Sequence, residues 1–227
     1  MKILKSLFAA LLAIAVSAAL AADALAVTAS CSGMTPLQNT QNVLCANGVC
    51  NANEVKLTSP LEVRTGGGCE FDLGGRDLSI EREFQINGLY FIKVTNAKNI
   101  SVVGAGRLKA RGDFEPSNGF WTGGGLISLN ASGTITIDGT RSLDVSGDGG
   151  GTMFLVAGGN IEFPGGDPVV QANGISNYAD LGDRYTDGGE LTAISLAGSV
   201  VVDAPLSLTG QNGGTGGLVD LQGAVNV

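Results

Sequence analysis

Short stretches in which apolar and polar residues alternate, bounded by glycine, recur along most of the chain. Three align on one glycine: Leu126 to Ile137 about Gly133, Thr152 to Phe163 about Gly159, and Leu191 to Val202 about Gly198. A fourth, Leu218 to Val227 about Gly223, is one residue shorter before its glycine, and a degenerate earlier copy places Lys98 at the anchor. The anchors from 133 to 223 are 26, 39 and 25 residues apart, so the middle interval is one period plus a 13-residue insertion.

Aligned on the anchor, like residues fall into columns. Four before it stand Val94, Leu129, Leu155, Ile194 and Val219; two after it stand Ile100, Ile135, Ile161, Val200 and Val225. Four after it come Val102, Ile137, Phe163, Val202 and Val227, and ten after it Leu108, Leu143, Val169 and Leu208. Alternation with period two sends each column to one face of a strand, and a fixed repeat stacks the strands like on like about 4.8 Å apart. The expected fold is all-β, a parallel solenoid with three strands per turn of about 26 residues; a β-sandwich would not require constant spacing of like columns. Over about residues 55–227 this pattern resembles the right-handed parallel β-helix of secreted bacterial surface exoproteins and of pectin-lyase-like, polysaccharide-active enzymes.

The ends define three segments. Lys2 and Lys5, the apolar run Leu7 to Leu20 and the small residues ending at Ala26 have the form of a cleaved secretory signal peptide, so 1–26 is read as a leader and the mature chain as starting near Val27. Residues 27–70 hold all four cysteines, Cys31, Cys45, Cys50 and Cys69. An even number in an exported chain points to two disulfides, in any of three pairings, rather than to zinc, whose paired C-x2-C knuckles are absent. This segment is expected to cap the first turn of the solenoid, whose open strand edges would otherwise recruit other chains. Residues 71–227 form the β-helix, which stops in mid-turn at Val225-Asn226-Val227, so further chain or a partner is expected to cover that edge.

Composition narrows the chemistry. Removing the leader takes away a net +1 from the charge of −8 and leaves −9, which argues against nucleic acid or an anionic membrane as partner. There is no histidine, which removes the usual general base and histidine-rich metal sites. The glycine runs 147–151 and 210–217 precede no helix and read as solenoid corners, not phosphate loops. Arg111-Gly112-Asp113 aligns with Gly147-Asp148 and is likewise a corner rather than an adhesion tripeptide. Arg107-Leu108-Lys109 resembles the R-I-K triplet of polygalacturonases, but that family's paired aspartates and glycine-flanked histidine are missing. No cofactor is expected; calcium among Asp144, Asp148 and Asp167 is the one metal reading those acids allow, against solvated turn aspartates.

The corner after Gly112, Gly147, Gly174 and Gly210 carries every length variation, with long loops at 113–124 and 175–188 two turns apart. These loops hold Phe114, Glu115, Phe120, Trp121, Tyr178 and Tyr185 as ligand-binding candidates and Asp180, Asp183, Arg184 and Asp187 as catalytic alternatives. Aromatic faces with carboxylates between them suit glycans, and a suitable pair of carboxylates hydrolyses a glycosidic bond. Lyases of the resembled fold use Arg or Lys with calcium, which singles out Arg184, Lys109 and Arg111. Two functions follow as expectations. The first is a non-catalytic exported β-helix, the structural or adhesive N-terminal part of a larger bacterial surface or secreted protein; the N-P-N-G and N-P-N-L motifs of two-partner-secretion exoproteins are absent. The second is a polysaccharide-binding or polysaccharide-cleaving protein, a lyase or glycosidase, using the two loops.

Overall fold

A computed structural model describes residues 27–31, 33–64, 68–87, 91–111, 114–115, 120–121, 123–140, 142–147, 149–165, 169–174, 187–210 and 214–226. Residues 1–26 and most of the two long loops lie outside these residues. Among the described residues the chain is mostly strand, in two large sheets of almost entirely parallel strands and one two-stranded antiparallel hairpin. No helix among them is long and apolar enough to cross a membrane.

The seven-stranded sheet runs, in spatial order, Val27–Ala29, Leu61–Arg64, Glu83–Asn87, Arg107–Arg111, Leu143–Asp144, Val170–Gln171 and Leu206–Ser207. The twelve-stranded sheet curls, because the 13-residue strand Glu190–Val202 belongs to both of its arms. The first half of that strand continues the long arm of Cys69–Asp72, Phe91–Ala97, Leu126–Ala131 and Thr152–Ala157. Its second half continues the short arm of Glu54–Leu57, Asp77–Ile80, Ile100–Val102, Ile135–Ile137 and Ile161–Phe163. Leu218–Asn226 pairs along both halves.

Strict alternation explains the core. Ile100, Ile135, Ile161 and Val200 are in register and buried, as the repeat predicts, and Leu78 and Val55 extend the column toward the N-terminus. Those first turns are only 23 residues long, as from Val55 to Leu78 or Cys69 to Ile92, and lack the anchor glycine. Two columns differ from the alignment by a residue or more. Ala193, not Ile194, pairs with Leu155, and Leu221, not Val219, pairs with Ala193. At Ile194 the reason is one extra residue in the corner after Ser195, where Leu196 is 70% exposed; at Val219 it is the opposite, Leu221 and Val225 being four residues apart where Ala193 and Val200 are seven apart. In the seven-stranded sheet Val170, not Val169, pairs with Leu143, and Leu206, not Leu208, pairs with Val170.

Two of the anchor glycines, Gly133 and Gly198, have a steric cause. Asn99 accepts at Oδ1 from the backbone N–H of Thr134 in the next turn, and Asn160 does the same for Ser199, at 2.9 and 3.0 Å. A Cβ on Gly133 or Gly198 would collide with these same amide oxygens. At these two anchors glycine leaves room for the asparagine projected by the turn beneath.

Three devices cover the edges of the first turn. Val27–Ala29 pairs with Leu61–Arg64, and Val49–Cys50 folds antiparallel onto Glu54–Leu57. The third is a helix Pro36–Asn39 that runs into a π-helical segment Thr40–Cys45. Thr35-Pro36-Leu37-Gln38 starts it as a capping box with proline in the first turn. The helix then satisfies edge carbonyls of Cys69–Asp72: Asn39 Nδ2 donates to Glu70 O and Thr40 Oγ1 to Asp72 O, both at 2.8 Å. The disulfides are Cys31–Cys69, which pins the segment to the long arm, and Cys45–Cys50, which closes the hairpin on the helix.

Two predictions follow from this geometry. In a chain-entropy model the Cys31–Cys69 link, spanning 38 residues, contributes about 4 kcal/mol and Cys45–Cys50, spanning 5, about 2 kcal/mol. Paired Cys→Ser variants should lose stability in that order in urea unfolding, and thiol labelling under mild reduction should reach the half-buried Cys45 and Cys50 before the buried Cys31 and Cys69. Gly133→Ala should cost about 1–3 kcal/mol by overpacking. Part of that loss should be recovered in the Asn99→Ala background, a coupling that a double-mutant cycle reads directly.

Candidate functional site

The corner that follows the seven-stranded sheet is where the long loops leave. The bridge between Gly147 and Gly174 puts two of the corner glycines in register, and the loops depart after Arg111 and Gly174. Each re-entry into the long arm is made by glycine: Gly125, Gly151, Gly189 and Gly217 immediately precede Leu126, Thr152, Glu190 and Leu218. A Cβ on Gly151 would run into the carbonyl of Gly125, one on Gly189 into that of Gly151, and one on Gly217 into that of Gly189. The backbones stack so closely that the corner admits no side chain there, and a shallow trough of about 350 Å3 runs over Gly150, Gly188 and Gly216.

The candidate residues separate into three groups. Phe114–Glu115 and Phe120–Trp121 form an antiparallel hairpin, with Phe114 opposite Trp121 and Glu115 opposite Phe120. Tyr178, Asp180, Asp183, Arg184 and Tyr185 lie outside the described residues, as do Asp148 and Asp167 of the calcium reading and Gly112-Asp113 of the tripeptide. Asp187 is described and exposed. Its Oδ1 accepts from both the backbone N–H and the hydroxyl of Thr215, each at 2.8 Å. These bonds, the backbone one foremost, hold its carboxyl below the ordinary aspartate value. Asp187 thereby ties the exit of one loop to the next glycine corner.

Two further groups lie on the strands below the loops. Lys109 is paired with Glu83 at 2.5 Å and stands in register with Asp144 on the neighbouring strand. Asp144 is 1% exposed and accepts from the backbone N–H of Ser146 at 3.0 Å. Among the described residues no group of three His, Cys, Asp or Glu side chains is placed to hold a metal ion.

Sequence inspection missed the Asp187–Thr215 staple and the glycine column before the long-arm strands. The second carried a signal, a glycine pair directly before each of four strands; the first carried none, because its partners are 28 residues apart. Comparison with family models, curated proteins and solved structures finds no match to this chain.

Held by the Thr215 staple, Asp187 should titrate below the usual aspartate range in a carboxyl-detected NMR titration, and Thr215→Val should move its midpoint up. A depressed folded value means that the contribution to stability is present above the unfolded pKa and is lost as pH falls through the folded one. Asp187→Asn should therefore lower stability at neutral pH, match the native chain below the acidic window, and so lessen the loss of stability on acidification.

Proposed function

We propose that this chain is an exported, non-catalytic right-handed parallel β-helix, the structural or adhesive N-terminal part of a larger bacterial surface or secreted protein. The leader at 1–26 directs export, and the two disulfides suit an oxidising compartment. The observation that carries the reading is the use made of polar side chains at the corners. Asp187, Asn99 and Asn160 all bond the backbone of an adjoining turn, and Lys109 is taken by Glu83. These four groups are engaged in holding the stack together.

A second reading, binding or cleavage of a polysaccharide by the 113–124 and 175–188 loops, is favoured by the Phe114–Trp121 hairpin pair. Strands two turns apart stand about 10 Å from one another, so the two loops are near enough to share one glycan.

Purified mature chain, beginning at Val27, should turn over no member of a panel of neutral and acidic glycans, while retaining binding to cells or assembling on their surface. Turnover that Asp183→Ala or Arg184→Ala abolishes, with the fold intact by circular dichroism, would establish the enzymatic reading instead. Glycan binding without turnover, lost in Trp121→Ala, would place recognition on the loops.

A further inference from the structure

At a different corner, between the long and short arms, an open groove of about 460 Å3 crosses three successive turns. Its floor is Gly74, Gly75 and Ala97. Both glycines have positive φ, +60° and +82°, and a Cβ added to either would meet nothing within 4 Å, so the space above them is open.

The walls are polar and come from each turn in order: Asp72, then Asn96, then Asn130 with Ser132. Asp72 Oδ1 accepts from the Gly74 N–H at 2.9 Å and from Asn96 Nδ2 at 3.1 Å, which fixes both side chains. The other oxygen of Asp72, Oδ1 of Asn96 and the whole amide of Asn130 make no hydrogen bond among the described residues. Asn96, Asn130 and Ser132 are exposed, and Ser132 Oγ makes only a long contact of 3.4 Å to Ala97 O.

We propose that this groove binds an extended, uncharged oligosaccharide along the stacking direction. A carboxylate oxygen offers acceptors only, an amide offers both donors and acceptors, and a hydroxyl offers either, a set that matches neighbouring sugar hydroxyls. Successive walls are about 4.8 Å apart, close to the advance of one sugar along an extended chain. The single charged wall residue is an aspartate, which repels uronates and phosphates. The lining carries no aromatic ring, so recognition rests on hydrogen bonds from several rungs at once and should strengthen with chain length. This site is distinct from the loop corner, and it stands whether or not the loops bind anything.

The test is a 15N-resolved NMR titration of the mature protein with cellohexaose and mannohexaose as neutral probes and hexagalacturonate as the acidic one. At least one neutral probe should shift the amides of Asp72, Gly74, Gly75, Asn96 and Asn130, with the acidic probe at least tenfold weaker. Asn130→Ala should weaken binding at least tenfold, and Trp121→Ala should leave it unchanged. Gly75→Asn, a residue that accepts the left-handed conformation and fills the groove, should abolish it. Absence of shifts at these amides up to about 10 mM of either neutral probe, a range that reaches weak millimolar sites, would overturn the proposal. So would shifts confined to 114–121, preference for hexagalacturonate, or binding indifferent to both Asn130→Ala and Gly75→Asn.

Discussion

Every feature of this molecule depends on parallel strands of successive turns meeting in register, so that each inward aliphatic side chain is buried against its counterpart one turn away. A single turn has too little apolar surface to stay folded by itself; stacked, residues such as Ile92, Ile127, Met153 and Leu191 become completely buried. Burial of each such side chain contributes about 1.5–3 kcal/mol, which must outweigh the entropy of ordering the turn. The constraint is strict because a slip of one residue would turn every inward side chain out to solvent. The asparagine bridges, the close-stacked glycines and the Asp187–Thr215 staple are ways of holding that register at corners, where the ladder itself is interrupted.

Register also defines what the ends and corners must do. An uncovered first turn would present three free strand edges, and the N-terminal segment answers each separately, by a parallel strand, by an antiparallel hairpin and by helix side chains bonded to Glu70 O and Asp72 O. Corners tolerate length variation because they lie outside the ladders. That is why two long loops leave one corner without displacing Leu143 from Leu108 or Val170 from Leu143.

Much of the architecture was legible in the amino-acid sequence, because periodicity reports burial directly. The Ile100, Ile135, Ile161 and Val200 column stands as aligned. The alignment slipped at Ile194, before a corner one residue longer, and at Val219, before a corner three residues shorter, because a pattern anchored on a glycine beyond the corner does not register its length. The shorter first turns were missed because no glycine marks them: Lys98 stands at the anchor, although Asp77 Oδ1 beneath it accepts from the Asn99 N–H as Asn99 and Asn160 do from the turns above them. Disulfide pairing was open on sequence alone and is decided by which strands adjoin. Polar sites were least legible. Loop composition drew attention to one corner, while the groove at the other is assembled from Asp72, Asn96 and Asn130, which no local motif connects.

The proposed β-helix makes one geometric demand: successive turns of the chain must lie on one sheet in sequence order, so that outward positions in register separate by equal steps, turn after turn. Ser79, Ser101, Thr136, Glu162 and Val201 form such a series on the short arm. Spin labels at Ser101 and Glu162, and at Ser79 and Val201, should report backbone separations of about 10 Å and about 19 Å, two and four steps of about 4.8 Å. Electron paramagnetic resonance distances growing in that proportion would bear the account out. A Ser79–Val201 separation that is shorter than the Ser101–Glu162 one, or several steps longer than four, would contradict it.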